Sequence, residues 1–235
     1  MSNLKEKIAI ITGATSGIGY EISKNLINKG IKVYLIGRSF DKFKNELLVQ
    51  SDKLNFIKLD LQNDVEIENF INKIDHEETI DILIHSAGVI SLGSFEQSNI
   101  DYLDHQYKIN VRASYLITQK LLPKIKRAKG DIIFLNSTVG LDSWQNISQY
   151  SATKHALKAL ANSLRKEISK SSTRVTSLYL GSTNTAMQEK VQKLRGISYN
   201  SSKFMDAKEI AKVVLFVINL PKNMTLTDMT LLPNI

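Results

Sequence analysis

Short apolar runs alternate with amphipathic segments along the whole chain. The run from Ile8 to Ile11 is uniformly apolar, whereas Ile18, Ile22 and Leu26 recur at helical spacing just after it. Strands that alternate with helices of this length form a parallel sheet covered by helices on both faces. Seven strands are predicted, at 8–11, 33–36, 56–59, 82–84, 132–135, 175–180 and 224–232. Helices are predicted at 17–29, 41–51, 64–76, 102–126, 149–169 and 206–219, with a less regular segment at 182–204.

The length and composition favour one domain. The chain has 235 residues, of which 43% are hydrophobic and 23% charged, and a single α/β domain can reach about 250 residues. We therefore expect one domain over 1–235. The absence of cysteine excludes disulfides, thiolate metal ligands and thiol nucleophiles, and no metal site is predicted. No apolar stretch approaches the roughly 18 residues that cross a bilayer, and the charged start lacks a signal-peptide core. A cytoplasmic protein that does not bind membranes is expected.

The chain is basic, with 31 Lys and Arg against 23 Asp and Glu and a formal net charge of +8. Such an excess attracts nucleic acids or phosphorylated ligands. Here the basic residues are scattered and do not form the compact cluster with interleaved aromatic residues that nucleic-acid binders present. A solvated lysine-rich surface is the favoured interpretation, and no nucleic-acid partner is predicted.

A glycine-rich turn, with Gly13, Gly17 and Gly19, lies between the first predicted strand and the first predicted helix. Missing side chains let the backbone turn sharply and approach a pyrophosphate, and a helix N-terminus offers free N–H groups and a partial positive charge. An ordinary strand-to-helix turn is the alternative. Ligands of parallel sheets bind beyond the carboxyl ends of the strands, so the position of this turn favours a phosphate-bearing cofactor.

Tyr150 and Lys154 are four residues apart on a predicted helix and therefore share one face of it. The sequence contains two other pairs with this spacing, at Tyr20 and at Tyr199. Only Tyr150 has a serine, Ser137, thirteen residues upstream at the end of a predicted strand. This combination indicates proton transfer to or from an alcohol or carbonyl oxygen.

The glycine spacing, together with Ser137, Tyr150 and Lys154 in this order, resembles the short-chain dehydrogenase/reductase family over essentially the whole chain. The resemblance implies a Rossmann-type, doubly wound, mostly parallel α/β fold and a nicotinamide cofactor. It also implies a catalytic set of Asn110, Ser137, Tyr150 and Lys154. The cofactor-binding residues that it implies are Gly13, Thr15, Ser16, Gly17, Ile18, Gly19, Arg38, Ser39, Asp60, Leu61, Ala87, Gly88, Tyr150, Lys154, Gly181, Thr183 and Thr185.

The end of the second predicted strand indicates which cofactor is bound. A carboxylate there would bind a ribose 2′-hydroxyl and repel a 2′-phosphate, but this chain has Gly37, Arg38 and Ser39. A guanidinium can form two hydrogen bonds to phosphate oxygens and a serine can add another. NADP(H) is therefore expected in preference to NAD(H). Asp60, by resemblance a contact of the adenine, could equally be a helix cap.

The chain departs from the family pattern at two places. His85 and Ser86 precede Ala87-Gly88, where the family has two asparagines, and Leu180 precedes Gly181, where the family has proline. The first departure leaves open how the sheet is tied at this point. Beyond Gly181, Thr183 and Thr185 are alternative contacts of the nicotinamide amide.

The expected reaction is the reversible interconversion of a carbonyl and a secondary alcohol. Tyr150 would be the general acid or base, Ser137 would orient the substrate oxygen, and Lys154 with the oxidised nicotinamide would lower the pKa of Tyr150. Asn110 would hold a water linked to Lys154. One alternative is an NADP(H)-binding sensor without turnover. A sugar-nucleotide epimerase or dehydratase is a further alternative with less support, because the chain ends soon after the sixth strand.

The sequence does not name the substrate. The pocket is expected at 89–92, at 139–146 and beyond Gly181. Trp144 could cover an apolar substrate, or it could pack in an interface or in the core. Lys190, Lys193 and Arg195 could attract an acidic substrate or could be a solvated helix face. The resemblance also implies a homodimer or homotetramer, with a close helix contact at Ala156, Ala159, Leu160 and Ala161.

Overall fold

Seven parallel strands form the central sheet in a computed structural model, which describes residues 6–41 and 52–234. The strands are β1 (Ile8–Thr12), β2 (Lys32–Gly37), β3 (Leu54–Lys58), β4 (Ile82–His85), β5 (Asp131–Ser137), β6 (Arg174–Leu180) and β9 (Asp228–Leu231). Their order across the sheet is β3-β2-β1-β4-β5-β6-β9. A separate pair, β7 (Thr183–Asn184) and β8 (Met205–Asp206), is also parallel. The predicted parallel α/β architecture is confirmed.

Helices cover both faces of this sheet. They are α1 (Gly17–Asn28), α2 (Asp64–Lys73), α3 (Ile100–Tyr107), α4 (Ala113–Ala128), α5 (Ser148–Glu167), α6 (Ala186–Leu194) and α7 (Ala207–Asn219). A π-helical turn, Lys108–Arg112, joins α3 to α4. In the described ranges no helix is both long enough and apolar enough to cross a membrane.

Two apolar layers form the core, one on each face of the sheet. Successive strand residues point to opposite faces, so Ile11 packs in the layer with α1 and α7, and Ile10 packs in the layer with α2, α4 and α5. Leu26 of α1 and Val214 of α7 are fully buried in the first layer. Both faces are buried, which is why the strands are uniformly apolar runs rather than alternating ones.

Three predicted segments differ from the structure. The helix predicted at 102–126 is divided by the π-helical turn into α3 and α4. The segment at 182–204, predicted to be less regular, contains α6, whose N-cap is Thr185. The strand predicted at 224–232 is limited to Asp228–Leu231. The helix predicted at 41–51 lies, apart from its first residue, outside the described residues.

The strand order reverses between β1 and β4, which are neighbours in the sheet although β2 and β3 lie between them in the chain. The connections leave these two strands toward opposite sides, and a crevice therefore opens at their carboxyl ends. The glycine turn follows β1 and the Ala87-Gly88 pair follows β4. Ser137 ends β5 and Gly181 follows β6. The topology thus gathers the predicted site residues at one edge.

Candidate active site

A cavity of about 310 Å³ opens at this edge and is lined by most of the predicted site residues. Those that line it are Gly13, Thr15, Ser16, Gly17, Ile18, Arg38, Asp60, Leu61, Ala87, Gly88, Ser137, Tyr150, Lys154, Gly181, Thr183 and Thr185. Gly19, Ser39 and Asn110 do not line it. One continuous cavity therefore joins the glycine turn to the Ser137, Tyr150 and Lys154 group.

The glycine turn has the close backbone packing of a cofactor site, because two of its positions leave no room for a side chain. Gly13 has φ +65°, and a Cβ there would lie 2.7 Å from the Cα of Ala87. A Cβ on Gly19 would overlap the carbonyl oxygen of Gly13. Gly19 therefore allows the close packing of the turn without itself lining the cavity. Ser16, the N-cap of α1, makes no side-chain capping bond. The first N–H groups of α1 are therefore available to an anion, as a pyrophosphate site requires.

Thr12 holds the two sides of the crevice together, a role that the sequence analysis missed. Its hydroxyl oxygen accepts hydrogen bonds from the backbone N–H groups of Ser86 and Ala87, both at 3.2 Å. The bonds join the carboxyl ends of β1 and β4 beside Gly13. Thr12 is 2% exposed. The sequence signal that could have identified it is a polar residue at the end of an otherwise apolar strand.

Ser137, Tyr150 and Lys154 come together as the sequence predicts. Ser137 ends β5, and α5 carries Tyr150 and Lys154 on its cavity-facing side. The Ser137 side chain lies beside the Tyr150 phenol and acts to lower the pKa of that phenol. The Lys154 Nζ lies 5.7 Å from the centre of the Tyr150 ring and donates to the carbonyl oxygen of Leu135 at 3.1 Å.

Burial dominates the protonation of this group. It raises the pKa of Tyr150 to about 12, and the neighbouring Ser137 side chain only partly opposes the rise. Burial also lowers the pKa of Lys154 to about 8. In the protein by itself the pKa of Tyr150 is therefore raised, because the loss of hydration acts on both groups. The lowering expected from Lys154 together with the oxidised nicotinamide concerns the cofactor complex and stays a prediction.

Asn110 lies in the π-helical turn, 1% exposed, and reaches the loop after β4. Its amide oxygen accepts from the Val89 N–H at 2.8 Å, and its amide nitrogen donates to the Val89 carbonyl at 2.9 Å and to the Thr153 hydroxyl at 3.0 Å. Both amide N–H groups are therefore used within the protein. A water linked to Lys154 would therefore depend on the backbone of Asn110, and this part of the expectation stays a prediction.

Asn136 and Thr153 support the catalytic residues, and the sequence analysis missed both. The Asn136 amide donates to the backbone carbonyl of Lys154 at 3.1 Å and accepts from the N–H of Ser137 at 2.8 Å. The Thr153 hydroxyl donates to the carbonyl of Tyr150 at 2.8 Å. A buried asparagine inside the apolar run of β5 was the available sequence signal for Asn136.

The other end of the cavity contains Arg38 and Asp60. Arg38 is exposed and lines the cavity, but the Ser39 hydroxyl donates to the Asp41 carboxylate at 2.7 Å. Recognition of a phosphate at this end would therefore depend on Arg38 and not on Ser39. The helix-cap interpretation of Asp60 is wrong, because Asn63 is the N-cap of α2. The Asp60 carboxylate instead accepts from the backbone N–H of Gln62 at 3.0 Å.

Thr183 and Thr185 both line the cavity. Thr183 is buried and donates to the Gly181 carbonyl at 3.1 Å. The Thr185 hydroxyl caps α6 by accepting from the N–H of Gln188 at 3.3 Å, and its methyl group lies against Gly17. The alternative between the two threonines stays open.

Comparison with known proteins identifies the family. The family model described as short chain dehydrogenase matches residues 7–196. The chain belongs to this short-chain dehydrogenase family. An uncharacterized oxidoreductase of Staphylococcus epidermidis is 30% identical over 236 residues, which cover 99% of this chain and 100% of that protein. Another from Staphylococcus aureus is 31% identical over 239 residues, again 99% and 100%.

Solved structures of dehydrogenases share the fold. A closed form of serine dehydrogenase complexed with NADP+ has a TM-score of 0.85 at 24% identity, covering 96% of this chain and 94% of that one. A 4-hydroxyisoleucine dehydrogenase complexed with NADH has a TM-score of 0.86 at 22% identity, covering 97% and 98%. Together with the family match, these findings identify the protein as a short-chain dehydrogenase-type oxidoreductase with a Rossmann-like fold.

His85, the main departure from the short-chain dehydrogenase pattern, has its own way of tying the sheet. Its Nε2 is hydrogen-bonded to the Thr118 hydroxyl of α4 at 2.7 Å, and its ring stacks on Phe134 with centroids 4.9 Å apart. Burial lowers the pKa of His85 to about 3. A neutral imidazole therefore joins β4 to α4 and β5 at a position where the family pattern has asparagine.

Trp144 and residues of α6 also line the cavity. Trp144 lines the cavity and is 50% exposed, which excludes the core-packing alternative. Arg195 also lines it, whereas Lys190 and Lys193 are exposed outside it. Of the three cations that could attract an acidic substrate, the structure brings only Arg195 to the cavity.

Proposed function

We propose that this protein is an NADP(H)-dependent oxidoreductase that interconverts a carbonyl and a secondary alcohol. The observation that carries the proposal is the single cavity lined both by the glycine turn and by Ser137, Tyr150 and Lys154. A cofactor-binding protein without turnover needs the first group but has no need of the second. The sensor alternative therefore leaves the grouping of Ser137, Tyr150 and Lys154 in this cavity unexplained.

The residues of the chain supply binding and proton transfer. The bound nicotinamide would supply or accept the hydride. The Tyr150 phenol, with its pKa raised to about 12, keeps its proton at neutral pH and can donate it to a carbonyl oxygen. The Ser137 hydroxyl, beside that phenol, would donate a hydrogen bond to the same oxygen as negative charge develops on it. In the reverse direction Tyr150 must lose its proton first, so oxidation is expected to need a higher pH than reduction.

The preference for NADP(H) rests on Arg38. It is an exposed guanidinium at the end of β2, and the cavity wall between it and the glycine turn is formed by Gly37 with Thr15 packed against it. A guanidinium suits a 2′-phosphate, to which it can donate two parallel hydrogen bonds. Arg38→Ala should weaken NADPH binding by about 10-fold or more and leave NADH binding nearly unchanged. Equal losses for both cofactors would contradict phosphate recognition.

The decisive experiment is turnover with NADPH against a panel of ketones, aldehydes, quinones and 3-oxoacyl thioesters. We expect one class to be reduced, and we expect Tyr150→Phe to abolish turnover while NADPH still binds, because only the phenolic proton is removed. Tight NADPH binding without turnover on any class would favour the sensor. Full activity of Tyr150→Phe would refute the role of Tyr150.

We also propose a homodimer or homotetramer, as members of the family commonly form. Ala159 lies on the exposed side of α5, and Ala156 and Leu160 are half-buried beside it. Ala161 is fully buried in the core, so the expectation that it makes the contact is wrong. Light scattering with Ala159→Arg tests the proposal, since a charged side chain on that face should dissociate the assembly.

A further inference from the structure

One face of α6 borders the cavity. Met187, Gln188, Val191 and the C-cap Arg195 line it, and these positions fall within about 100° of one another around a helix. Ala186, the first residue of the helix, also lines the cavity. Lys193 lies on the opposite side of the same helix and is exposed outside the cavity. The guanidinium of Arg195 is therefore the charged group that this face presents to the cavity.

The side chain of Arg195 has no partner within the described part of the chain. It makes no ion pair and no side-chain hydrogen bond there, although its backbone N–H bonds to Val191 and Gln192. Other arginines of this protein are paired: Arg112 with Asp64, and Arg174 with Asp131. An unpaired guanidinium with its donors open to a cavity can bind an anion from solution.

The position of Arg195 separates it from the cofactor-phosphate end. The charged residues of the cavity wall are Arg38, Asp60, Lys154 and Arg195. Arg38 follows β2, whereas α6 begins after Thr185, which lies beside Gly17, and the C-cap of α6, Arg195, is about 15 Å further along the helix axis. Arg195 is therefore at the end of α6 remote from the glycine turn, and it lines the same cavity as Tyr150.

We propose that Arg195 binds a carboxylate of the substrate, so that the substrates of this enzyme are oxo acids and the corresponding hydroxy acids. This inference rests on the proposed carbonyl–alcohol chemistry. A guanidinium can donate two parallel hydrogen bonds to a carboxylate or to a phosphate, and the alkyl phosphate in the second test below distinguishes the two anions. Trp144 and Val191, which line the same cavity, would contact the apolar part of such a substrate.

The first test compares an oxo acid with its methyl ester, which keeps the reacting ketone and removes the charge. Arg195→Ala should lower kcat/KM for the oxo acid roughly 5- to 20-fold and leave the ester unchanged. Lys193→Ala is the matched control, because it removes the same charge from the last turn of α6 outside the cavity. A series of oxo acids with more methylene groups would identify the spacing at which the Arg195 effect is largest.

A second test measures binding without turnover. Trp144 is the only tryptophan of the chain and lines this cavity, so its fluorescence reports ligands there. Saturated carboxylates and the matching amides would be titrated into the NADPH complex. We expect the carboxylate to bind more tightly than the amide, Arg195→Ala to abolish the difference, and Lys193→Ala to retain it. An alkyl phosphate titrated alongside should bind no more tightly than the carboxylate.

The two tests separate the failure of this inference from the failure of the proposed function. Ester and oxo acid turned over equally by wild type, with no effect of Arg195→Ala on either, would overturn the carboxylate site while leaving the reductase intact. Tighter binding of the alkyl phosphate would also overturn it. Absence of turnover on every carbonyl, with carboxylate binding that depends on Arg195, would overturn the reductase alone.

Discussion

The side-chain amide of Asn110 satisfies both backbone polar groups of Val89, accepting from its N–H at 2.8 Å and donating to its carbonyl at 2.9 Å. The loop that follows β4 is thereby fixed to the middle of the π-helical turn. Val89 lines the cavity and lies next to Gly88. A buried amide thus sets the position of a cavity wall that has no secondary structure of its own.

Replacing Asn110 by leucine should free this loop. The backbone groups of Val89 lose their partners, and the free energy of unfolding should fall by about 1 to 3 kcal/mol. Urea denaturation measures the loss. Thr153→Val, which removes one of the hydrogen bonds of Asn110 without touching Val89, should cost less. An Asn110→Leu protein as stable as wild type would show that the loop is held by other contacts.

Gly13→Ala should lower the free energy of unfolding by more than the positive φ of Gly13 alone explains. Gly196→Ala is the matched control: Gly196 has φ +69°, close to the +65° of Gly13, but no atom lies within 4 Å of the added Cβ. Both changes carry the cost of a left-handed conformation, about 1 kcal/mol. The overlap with Ala87 should add about 1 to 3 kcal/mol at Gly13 and weaken NADPH binding. Calorimetric unfolding of the two variants tests this, and equal losses would contradict it.

Lys154 should make the ligand-free protein more stable as the pH rises from about 8 toward 10.5. Its pKa is lowered from 10.5 to about 8 by burial. Between these values the unfolded chain binds more protons than the folded one, so stability increases with pH, by as much as about 3 kcal/mol. Lys154→Met should remove that increase in urea titrations. Parallel pH curves for the two proteins would show that Lys154 is not desolvated.

Tyr150 should act in the opposite direction above pH 10. Burial raises its pKa from 10.0 to about 12, so in this window the folded protein keeps a proton that the unfolded chain has lost. Stability should therefore fall as the pH rises through it. Tyr150→Phe, which cannot titrate, should show a smaller fall in the unfolding midpoint. Identical curves for wild type and Tyr150→Phe would argue against the raised pKa.

His85 should make the fold sensitive to acid. Burial lowers its pKa from 6.5 to about 3, so below pH 6.5 the unfolded chain binds a proton that the folded protein excludes. Stability should drop by roughly 2 kcal/mol between pH 6.5 and pH 4.5 from this group. His85→Asn, the residue of the family pattern, should lose less stability over that interval. If His85→Asn lost as much stability in acid as wild type, the loss would have to come from carboxylates and not from His85.

The sequence predicted the strands and the cavity residues well because both depend on local patterns at strand ends. Buried strands are continuous apolar runs, and the parallel topology brings their carboxyl ends together whatever the details. Side-chain partners were less predictable. Spacing does not determine rotamers or the rotation of a helix about its axis. For this reason it did not show that Ser39 bonds to Asp41 or that Asn63, and not Asp60, caps α2. It also did not show that Ala161 faces the sheet. The raised pKa of Tyr150 in the protein by itself comes from desolvation, which depends on packing that spacing does not determine.

The π-helical turn at Lys108–Arg112 fixes the number of residues that this part of the chain must contain. Such a turn contains one residue more than an α-helix would, and each residue of an α-helix adds about 100° of rotation. Deleting a single residue between Tyr107 and Ala113 would restore regular helix and rotate α3 by that angle against α4. Gln106, which bonds to Ser91, and Asn110 could then no longer face the loop together. Descendants of this gene can therefore exchange residues along this helix far more readily than they can lose one.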